Sequence, residues 1–312
     1  MSPSALPRSI SRSVGWLFSA LLLLQAVLVV TGGAVRLTGS GLGCPTWPEC
    51  TNGLIKPIAH QAQGQLHAWI EFGNRLIAWL IFIVAIAALV YVIRNLKNRS
   101  DYKVIRALAL SQLVGFIAQV VLGGITVLTK LNPISVSLHF ILSIPLISAA
   151  LSLRTRVSNR EKIAINETTT LVSKVILILT LGVIVVGTIV TGSGPHAGDI
   201  QAKRYHIQPR TISYLHADLV IALIAFTIGL WLIIRASESK ETQKSYGSKV
   251  AIFLLVCLAQ GAIGYIQYFT GLPELIVGIH LLGVTLVWIT CWNFYTYGKK
   301  FSNSYEPIKD SK

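Results

Sequence analysis

Charged side chains are scarce in this sequence, and their scarcity defines the class of protein. Asp, Glu, Lys and Arg together make up only 12% of the 312 residues, whereas apolar residues make up 53%. The mean hydropathy is +0.65. A soluble domain of this length needs a far more charged surface. The composition therefore excludes an ordinary soluble fold and predicts a polytopic membrane protein.

Acidic residues are especially few, with 12 Asp and Glu against 27 Lys and Arg and a formal net charge of +15. Most of the basic residues fall in the short loops and termini that lie on one side of the predicted membrane spans. This distribution predicts that both termini are cytoplasmic in a plasma membrane, where the basic loops meet anionic lipid heads. The charge is scattered and carries no binding motif, so nucleic acid is not an expected partner.

Long apolar runs account for most of the chain, and each is long enough to cross a hydrocarbon core about 30 Å thick. The first run is too long, and too poor in a cleavage site, for a removed signal peptide. We therefore expect an all-α polytopic fold with eight transmembrane helices arranged as two repeated four-helix bundles. The predicted spans are near 14–36, 69–93, 106–128, 135–153, 172–191, 213–235, 249–270 and 275–297.

An internal repeat supports this arrangement. Gln119 precedes His139 by the same spacing at which Gln260 precedes His280, within similar surrounding sequences. The first helix of each half also ends in the same Thr-Gly-Ser-Gly sequence. A parallel-repeat transporter would show such a duplication too. The predicted units are an N-terminal half (1–153), a cytoplasmic linker (154–171), a C-terminal half (172–297) and a cytoplasmic tail (298–312).

Four histidines, namely His67, His139, His216 and His280, lie near the outer starts of the even-numbered spans. Imidazole within a bilayer is costly and is usually functional. A single buried histidine is most often a hydrogen-bonded core residue, but four in matching positions favour two haem sites, since neutral imidazole binds iron. The remaining histidines fall in outer loops, where an exposed or loop-bonded ring is the default; they are His60, His196 and His206.

The second span carries an unusual polar face. His67, Glu71, Asn74 and Arg75 lie on one side of a helix by their spacing. A carboxylate one turn inside a membrane is expensive unless it is paired or functional. Glu71 is therefore either the partner of Arg75 in a buried ion pair that holds the bundle in register, or a catalytic carboxylate beside a haem edge.

The four cysteines divide by location. Cys44 and Cys50 lie in the first outer loop, where an oxidising compartment favours a disulfide. A metal site would need further ligands, and only Glu49 and the more distant His60 are near, so we favour the disulfide over a metal site or free redox thiols. Such a pair is either a structural bridge or a labile redox couple. The other two, Cys257 and Cys291, are expected to be packing residues.

Together, four segments resemble the haem A synthase family, and the likeness extends over residues 14–297. They are the cysteine loop Gly43-Cys44-Pro45-Thr46-Trp47-Pro48-Glu49-Cys50, the helix segment Ile70-Glu71-Phe72-Gly73-Asn74-Arg75, the second outer loop Thr191-Gly192-Ser193-Gly194-Pro195-His196-Ala197-Gly198-Asp199, and Leu215-His216-Ala217-Asp218. The resemblance implies oxidation of the C8 methyl group of haem O to the formyl group of haem A, which serves cytochrome c oxidase.

The resemblance also implies roles for individual residues. His216 and His280 would hold a haem b cofactor in the C-terminal half, and His139 would face the substrate haem O in the N-terminal half. Glu71 is then the expected catalytic residue. Two arginines, Arg36 and Arg75, are candidates for neutralising haem propionates, although Arg36 at a helix end could simply anchor in lipid heads. Haem O synthase and cytochrome oxidase assembly factors are the expected protein partners.

One position departs from the family pattern. The family has Glu-x-x-His-Arg in the second span, and this chain has Asn74 where that histidine stands. Asparagine is a poor iron ligand, so either His67 replaces it or the substrate iron keeps an open position. The Glu-Phe-Gly-Asn-Arg variant resembles versions found in some Gram-positive, actinobacterial-like branches.

Two other functions remain as alternatives. A non-catalytic di-haem cytochrome would carry electrons across the membrane, and ideally needs one haem near each surface. All four membrane histidines lie towards the outer face, which argues against such a role. A haem or solute transporter is the third reading, and it would hold no tightly bound haem.

Overall fold

Eight long helices make up nearly the whole molecule in a computed structural model, which describes residues 12–51, 53–58 and 64–300. All eight are long and apolar enough to span a membrane, so the predicted all-helical polytopic fold is confirmed. The helices are α1 (Arg12–Leu37), α2 (Gln65–Asn95), α3 (Tyr102–Leu128), α4 (Pro133–Val157), α5 (Glu167–Ser193), α6 (Pro209–Ser237), α7 (Lys240–Phe269) and α8 (Glu274–Tyr297).

Local sequence signals fix where several helices begin. The side chain of Asn132 accepts a hydrogen bond from the Ile134 amide, and Pro133 takes the first helical position of α4. In the same way Asn166 caps α5 by accepting from the Thr169 amide. These caps satisfy amide groups that the first turn of a helix leaves unpaired.

The helices pack as two rings of four. In the first ring α1, α2, α3 and α4 pack in sequence and α1 closes onto α4, while α5 to α8 form a second ring that α5 and α8 close. Two of the diagonal pairs, which face each other across a ring, are therefore α2 with α4 and α6 with α8. Between the rings α1 packs on α8, α4 packs on α5, and α4 packs on α8.

The seam between α4 and α8 combines apolar packing with two hydrogen bonds, one buried and one part-buried. The indole nitrogen of Trp288 donates to Ser148 Oγ, and that of Trp292 donates to Ser152 Oγ, each over 2.8 Å. Trp288 also packs with Ile144 and Ile147 of α4 in a shared hydrophobic cluster. Each indole therefore buries a large apolar ring while its N–H keeps a partner.

The inner face contains a short element that the sequence did not predict. Strand β1 (Ile163–Ile165) pairs in parallel with strand β2 (Gly298–Lys300), so the segment after α4 meets the end of α8. Helix α5 also begins at Glu167, within the predicted linker (154–171). The remainder of the predicted tail, residues 301–312, lies outside the described residues, as do residues 1–11.

Candidate functional site

Each of the four outer hairpins brings a glycine of its odd-numbered helix against a polar side chain of the next helix. A Cβ atom built on Gly123 would lie 3.2 Å from Cε1 of His139. Side chains stand close to the backbone at these points, so the bare glycine provides the space. The corresponding distances are 3.1 Å for Gly187 to His216 Cε1, 3.5 Å for Gly264 to His280 Cε1, and 4.0 Å for Gly32 to Asn74 Nδ2.

In the second ring the two facing positions are both histidines. His216 on α6 and His280 on α8 lie on diagonal helices and are within electrostatic range of each other. The Nδ1 atoms of both imidazoles are buried and have no hydrogen-bond partner among the described residues. The Val183 backbone makes an electrostatic contact with His216, but no hydrogen bond of normal geometry.

In the first ring the two facing positions are a histidine and an asparagine. The Nδ1 atom of His139 on α4 is buried and unpartnered within the described part of the chain. Across the ring, Asn74 on α2 accepts a hydrogen bond of 2.7 Å through Oδ1 from Thr31 Oγ1 of α1. The two rings therefore share the glycine contacts but differ in the side chains that face one another.

His67 lies elsewhere. It is two residues from the start of α2 at Gln65, whereas His139, His216 and His280 lie deeper in their helices. Its Nδ1 atom and Ser40 Oγ are hydrogen-bonded at 2.9 Å. Such a bond orients many metal-binding histidines, so it is compatible with ligation through the other nitrogen. The expectation of one common depth therefore holds for three of the four histidines.

Glu71 is buried and both of its carboxylate oxygens are engaged. Oε2 accepts a 2.7 Å hydrogen bond from the Cys44 amide, and Oε1 accepts one of 2.7 Å from Arg75 Nη2. Arg75 also donates to backbone carbonyls of the cysteine loop, including that of Glu49. The predicted Glu71–Arg75 ion pair is therefore present, and it fastens the cysteine loop onto α2.

The cysteine loop covers the outer end of the first ring. Cys44 and Cys50 form a disulfide with an S–S distance of 2.04 Å, which confirms that prediction. Trp47, within the loop, lies against Gly124 of α3, next to the glycine that faces His139. Within the described residues no cluster of His, Cys, Asp and Glu could hold a metal ion. His60 lies outside those residues.

Arg36 joins the two rings at the outer face. Its Nη2 donates a 2.6 Å hydrogen bond to the Thr191 carbonyl, and its Nε donates to the His196 carbonyl. His196 in turn bonds the Leu272 carbonyl through Nε2 at 2.8 Å. The guanidinium thus holds the second outer loop, and His206 in that loop is exposed.

These donors suit haem better than a bare metal ion. A bare ion needs a cluster of ligands, which the described residues lack. Haem supplies four equatorial nitrogens and needs from the protein only axial groups such as histidine. Imidazoles with buried, unpartnered Nδ1 atoms on diagonal helices of a four-helix ring are placed to supply those axial groups.

Eight spans and paired inward-facing histidines define a polytopic membrane protein of the haem-binding class. A family model described as cytochrome oxidase assembly protein (COX15-CtaA) matches residues 15–292. The chain therefore belongs to that family, in agreement with the resemblance found in the sequence.

Curated relatives named haem A synthase align with parts of the chain. The protein of Geobacillus kaustophilus is 34% identical over 106 residues, which are 34% of this chain and 31% of that protein. The protein of Lysinibacillus sphaericus is 31% identical over 136 residues, which are 43% of this chain and 41% of that protein. These alignments thus span less than half of each relative.

Sequence reasoning missed the part played by Asn74 and the four glycines. The sequence separation between Asn74 and His216 differs by one residue from that between Gln119 and Gln260. That near-match was a usable signal. The His-Ala pair at 67–68 and at 216–217 would instead align His67 with His216. In the structure, Asn74 lies opposite Gly32 of the preceding helix, whereas His67 contacts Gly64 in the loop just before α2.

Proposed function

We propose that this protein is a haem A synthase, which oxidises the C8 methyl group of haem O to a formyl group. The observation that carries the proposal is the family match over residues 15–292, which includes every histidine placed against a glycine. Two successive oxidations at a methyl carbon are beyond unaided side chains, and bound haem iron supplies that chemistry. The protein itself orients the haem and supplies the environment around it.

The resident cofactor in this proposal is a haem b between His216 and His280. Their facing positions on α6 and α8, with unpartnered Nδ1 atoms, support this assignment. Glycines 187 and 264 allow each ring to stand close to the adjacent helix. Two imidazole ligands suit a haem that transfers electrons rather than one that binds substrate.

The substrate haem O would occupy the first ring, with His139 as its imidazole. Asn74, fixed by Thr31, stands where the second ring has His216, so this position offers an amide rather than a strong ligand. The prediction that His67 ligates the iron stays a prediction. Its location near the start of α2 favours a substrate iron with one strong ligand.

Glu71 is the carboxylate that the proposal assigns to the reaction. It lies one helical turn outward from Asn74, beneath the cysteine loop. From there it can accept a proton, or stabilise positive charge that develops near the edge of the haem. Arg75 pairs with Glu71, and Arg75 and Arg36 are the candidates for propionate contacts.

The wider assignments follow from the same proposal. Both termini would be cytoplasmic, with the cysteine loop on the outer side, and the partners would be haem O synthase and cytochrome oxidase assembly factors. The Asn74 variant would place the chain in an actinobacterial-like subgroup.

Analysis of extracted haems tests the activity directly. Co-expression with a haem O-producing enzyme, followed by chromatography, should yield haem A or its alcohol precursor. A purified protein that holds two haems but leaves haem O unchanged would instead be a di-haem cytochrome. A protein without tightly held haem would point to a transporter.

The haem b assignment has its own test. Replacing His216 or His280 by Ala should remove the tightly bound haem b from the purified protein, whereas His206→Ala, an exposed loop change, should retain it. A His216→Ala protein with a normal haem spectrum would contradict the assignment.

A further inference from the structure

Two adjoining cavities open on the face opposite the cysteine loop, where α4 and α8 end and α5 begins. Lys162 and Thr296 line both of them. Arg156 and Arg160 line the first cavity and Lys174 lines the second, with Glu161 the one carboxylate among the lining residues. We call this pair of cavities the inner basic pocket.

Arg160 is held rigidly in this pocket. Its Nη1 donates a 2.5 Å hydrogen bond to Asn293 Oδ1, and its guanidinium carbon lies 4.4 Å from the centroid of the Tyr297 ring. Lys249 Nζ lies 4.5 Å from the same ring. The Nη2 atom of Arg160 is buried and has no hydrogen-bond partner among the described residues. Leaving such a charged donor unpaired is costly, and a bound acceptor would remove that cost.

The positive charge of the inner basic pocket is poorly balanced. Of the basic residues that line the pocket, Arg156 pairs with Asp101 over 3.8 Å. Burial lowers the pKa of Arg160, the charge of Arg154 lowers it further, and Tyr297 raises it. An anion in the pocket would oppose both of the lowering effects.

We propose that the inner basic pocket binds the phosphate headgroup of an anionic phospholipid. A basic recess between transmembrane helices at the cytoplasmic surface suits such a headgroup, and the leaflet there supplies anionic lipid. The pocket opens where the apolar spans end, and its wall includes the aromatic residues Tyr295 and Tyr297, which favour the interface. The site is independent of the haem chemistry.

A charge-matched pair of variants tests the proposal. In the full-length protein, R160Q/K162Q removes two cations from the pocket, and R94Q/K97Q removes two exposed cations from the same side. Native mass spectrometry with titrated phosphatidylglycerol should show about thirtyfold weaker lipid binding for R160Q/K162Q. The R94Q/K97Q protein should bind as wild type does. Equal weakening in both variants would overturn the proposal, because it would reflect net charge alone.

Two further measurements keep the test decisive. If R160Q/K162Q fails to fold, K162Q alone removes an exposed lysine and should weaken binding by about fivefold. The charge-preserving R160K should bind more tightly than R160Q. Millimolar inorganic phosphate should leave the bound lipid in place; displacement by phosphate would identify a free anion as the occupant and overturn the lipid assignment.

Discussion

At the scale of single residues, the structural role of Glu71 can be separated by experiment from the catalytic role proposed for it. Its carboxylate fastens the cysteine loop through the Cys44 amide and pairs with Arg75. A purely structural carboxylate and a catalytic one would both occupy such a place, because a buried charge needs partners in either case. The roles differ in what survives when the charge is removed and the shape is kept.

The variant Glu71→Gln removes the charge and keeps an oxygen that can accept from Cys44. We expect it to fold and to retain haem b, while haem A per haem b falls at least about tenfold because a proton acceptor is lost. The matched control is Glu49→Gln, which alters the other carboxylate of the loop, hydrogen-bonded to the Gly53 amide. A wild-type ratio in Glu71→Gln would restrict Glu71 to the ion pair.

Asn74 permits a second experiment at this scale. In Asn74→His, an imidazole would stand opposite Gly32 as His216 stands opposite Gly187. In a His216→Ala background, which removes haem b, we expect the remaining haem to shift from high spin to low spin by electron paramagnetic resonance, because the iron gains a second strong ligand. Asn74→Gln is the control and should stay high spin; an unchanged Asn74→His spectrum would contradict the placement.

At the scale of elements, the unit of this protein is a helical hairpin with a glycine at its outer end. The facing glycine lies five residues before the end of α1, α3 and α7, and six before the end of α5. Glycine within a helix costs about 1 kcal/mol relative to alanine, so its recurrence at this point indicates a packing need. That need is space for the ring or amide of the next helix.

Gly187→Ala tests this requirement within α5. The added methyl would lie 3.1 Å from Cε1 of His216, so the ring must move by a few tenths of an ångström. We expect a shifted haem b absorption spectrum and severalfold lower haem retention after purification. Gly182→Ala, in the same helix with nothing within 4 Å, should leave the spectrum unchanged and raise stability slightly. Identical spectra for both variants would show that the His216 imidazole is not confined by Gly187.

At the scale of the whole molecule, the two rings are joined at both faces. Arg36 of α1 reaches the Thr191 carbonyl of the second ring, and Tyr205 of the second outer loop donates to the Pro133 carbonyl of the first. On the inner face β1 and β2 join the segment after α4 to the end of α8. Each ring of helices is therefore held in place by contacts with the other ring.

The orientation proposed for the whole molecule rests on the positive charge of the loops on one side of the spans. In intact cells, we expect a membrane-impermeant maleimide to label a cysteine at position 130 and not one at position 97. Lys130 and Lys97 are both exposed, which makes them a matched pair on opposite faces. Background labelling should be low, because Cys44 and Cys50 are bonded and Cys257 and Cys291 are buried. The reverse labelling would invert the proposed topology.

The sequence by itself determined the fold class and the approximate positions of the spans, and it favoured the disulfide that the structure contains. Hydrophobic runs must become helices in a bilayer, because every backbone polar group needs an internal partner there. The sequence also singled out Glu71, His139, His216 and His280, since polar groups in apolar runs are expensive and therefore conspicuous.

Only the tertiary structure decided which polar groups face one another. The position of Asn74 opposite Gly32, and of His67 beside Ser40, depends on the rotation of α2 against α1. A residue count along one helix cannot supply that rotation. The same holds for the Cys44 amide at Glu71 and for the inner basic pocket, where residues far apart in sequence meet because α4 and α8 end beside the start of α5. Helix formation is encoded locally, whereas these contacts depend on how the helices pack.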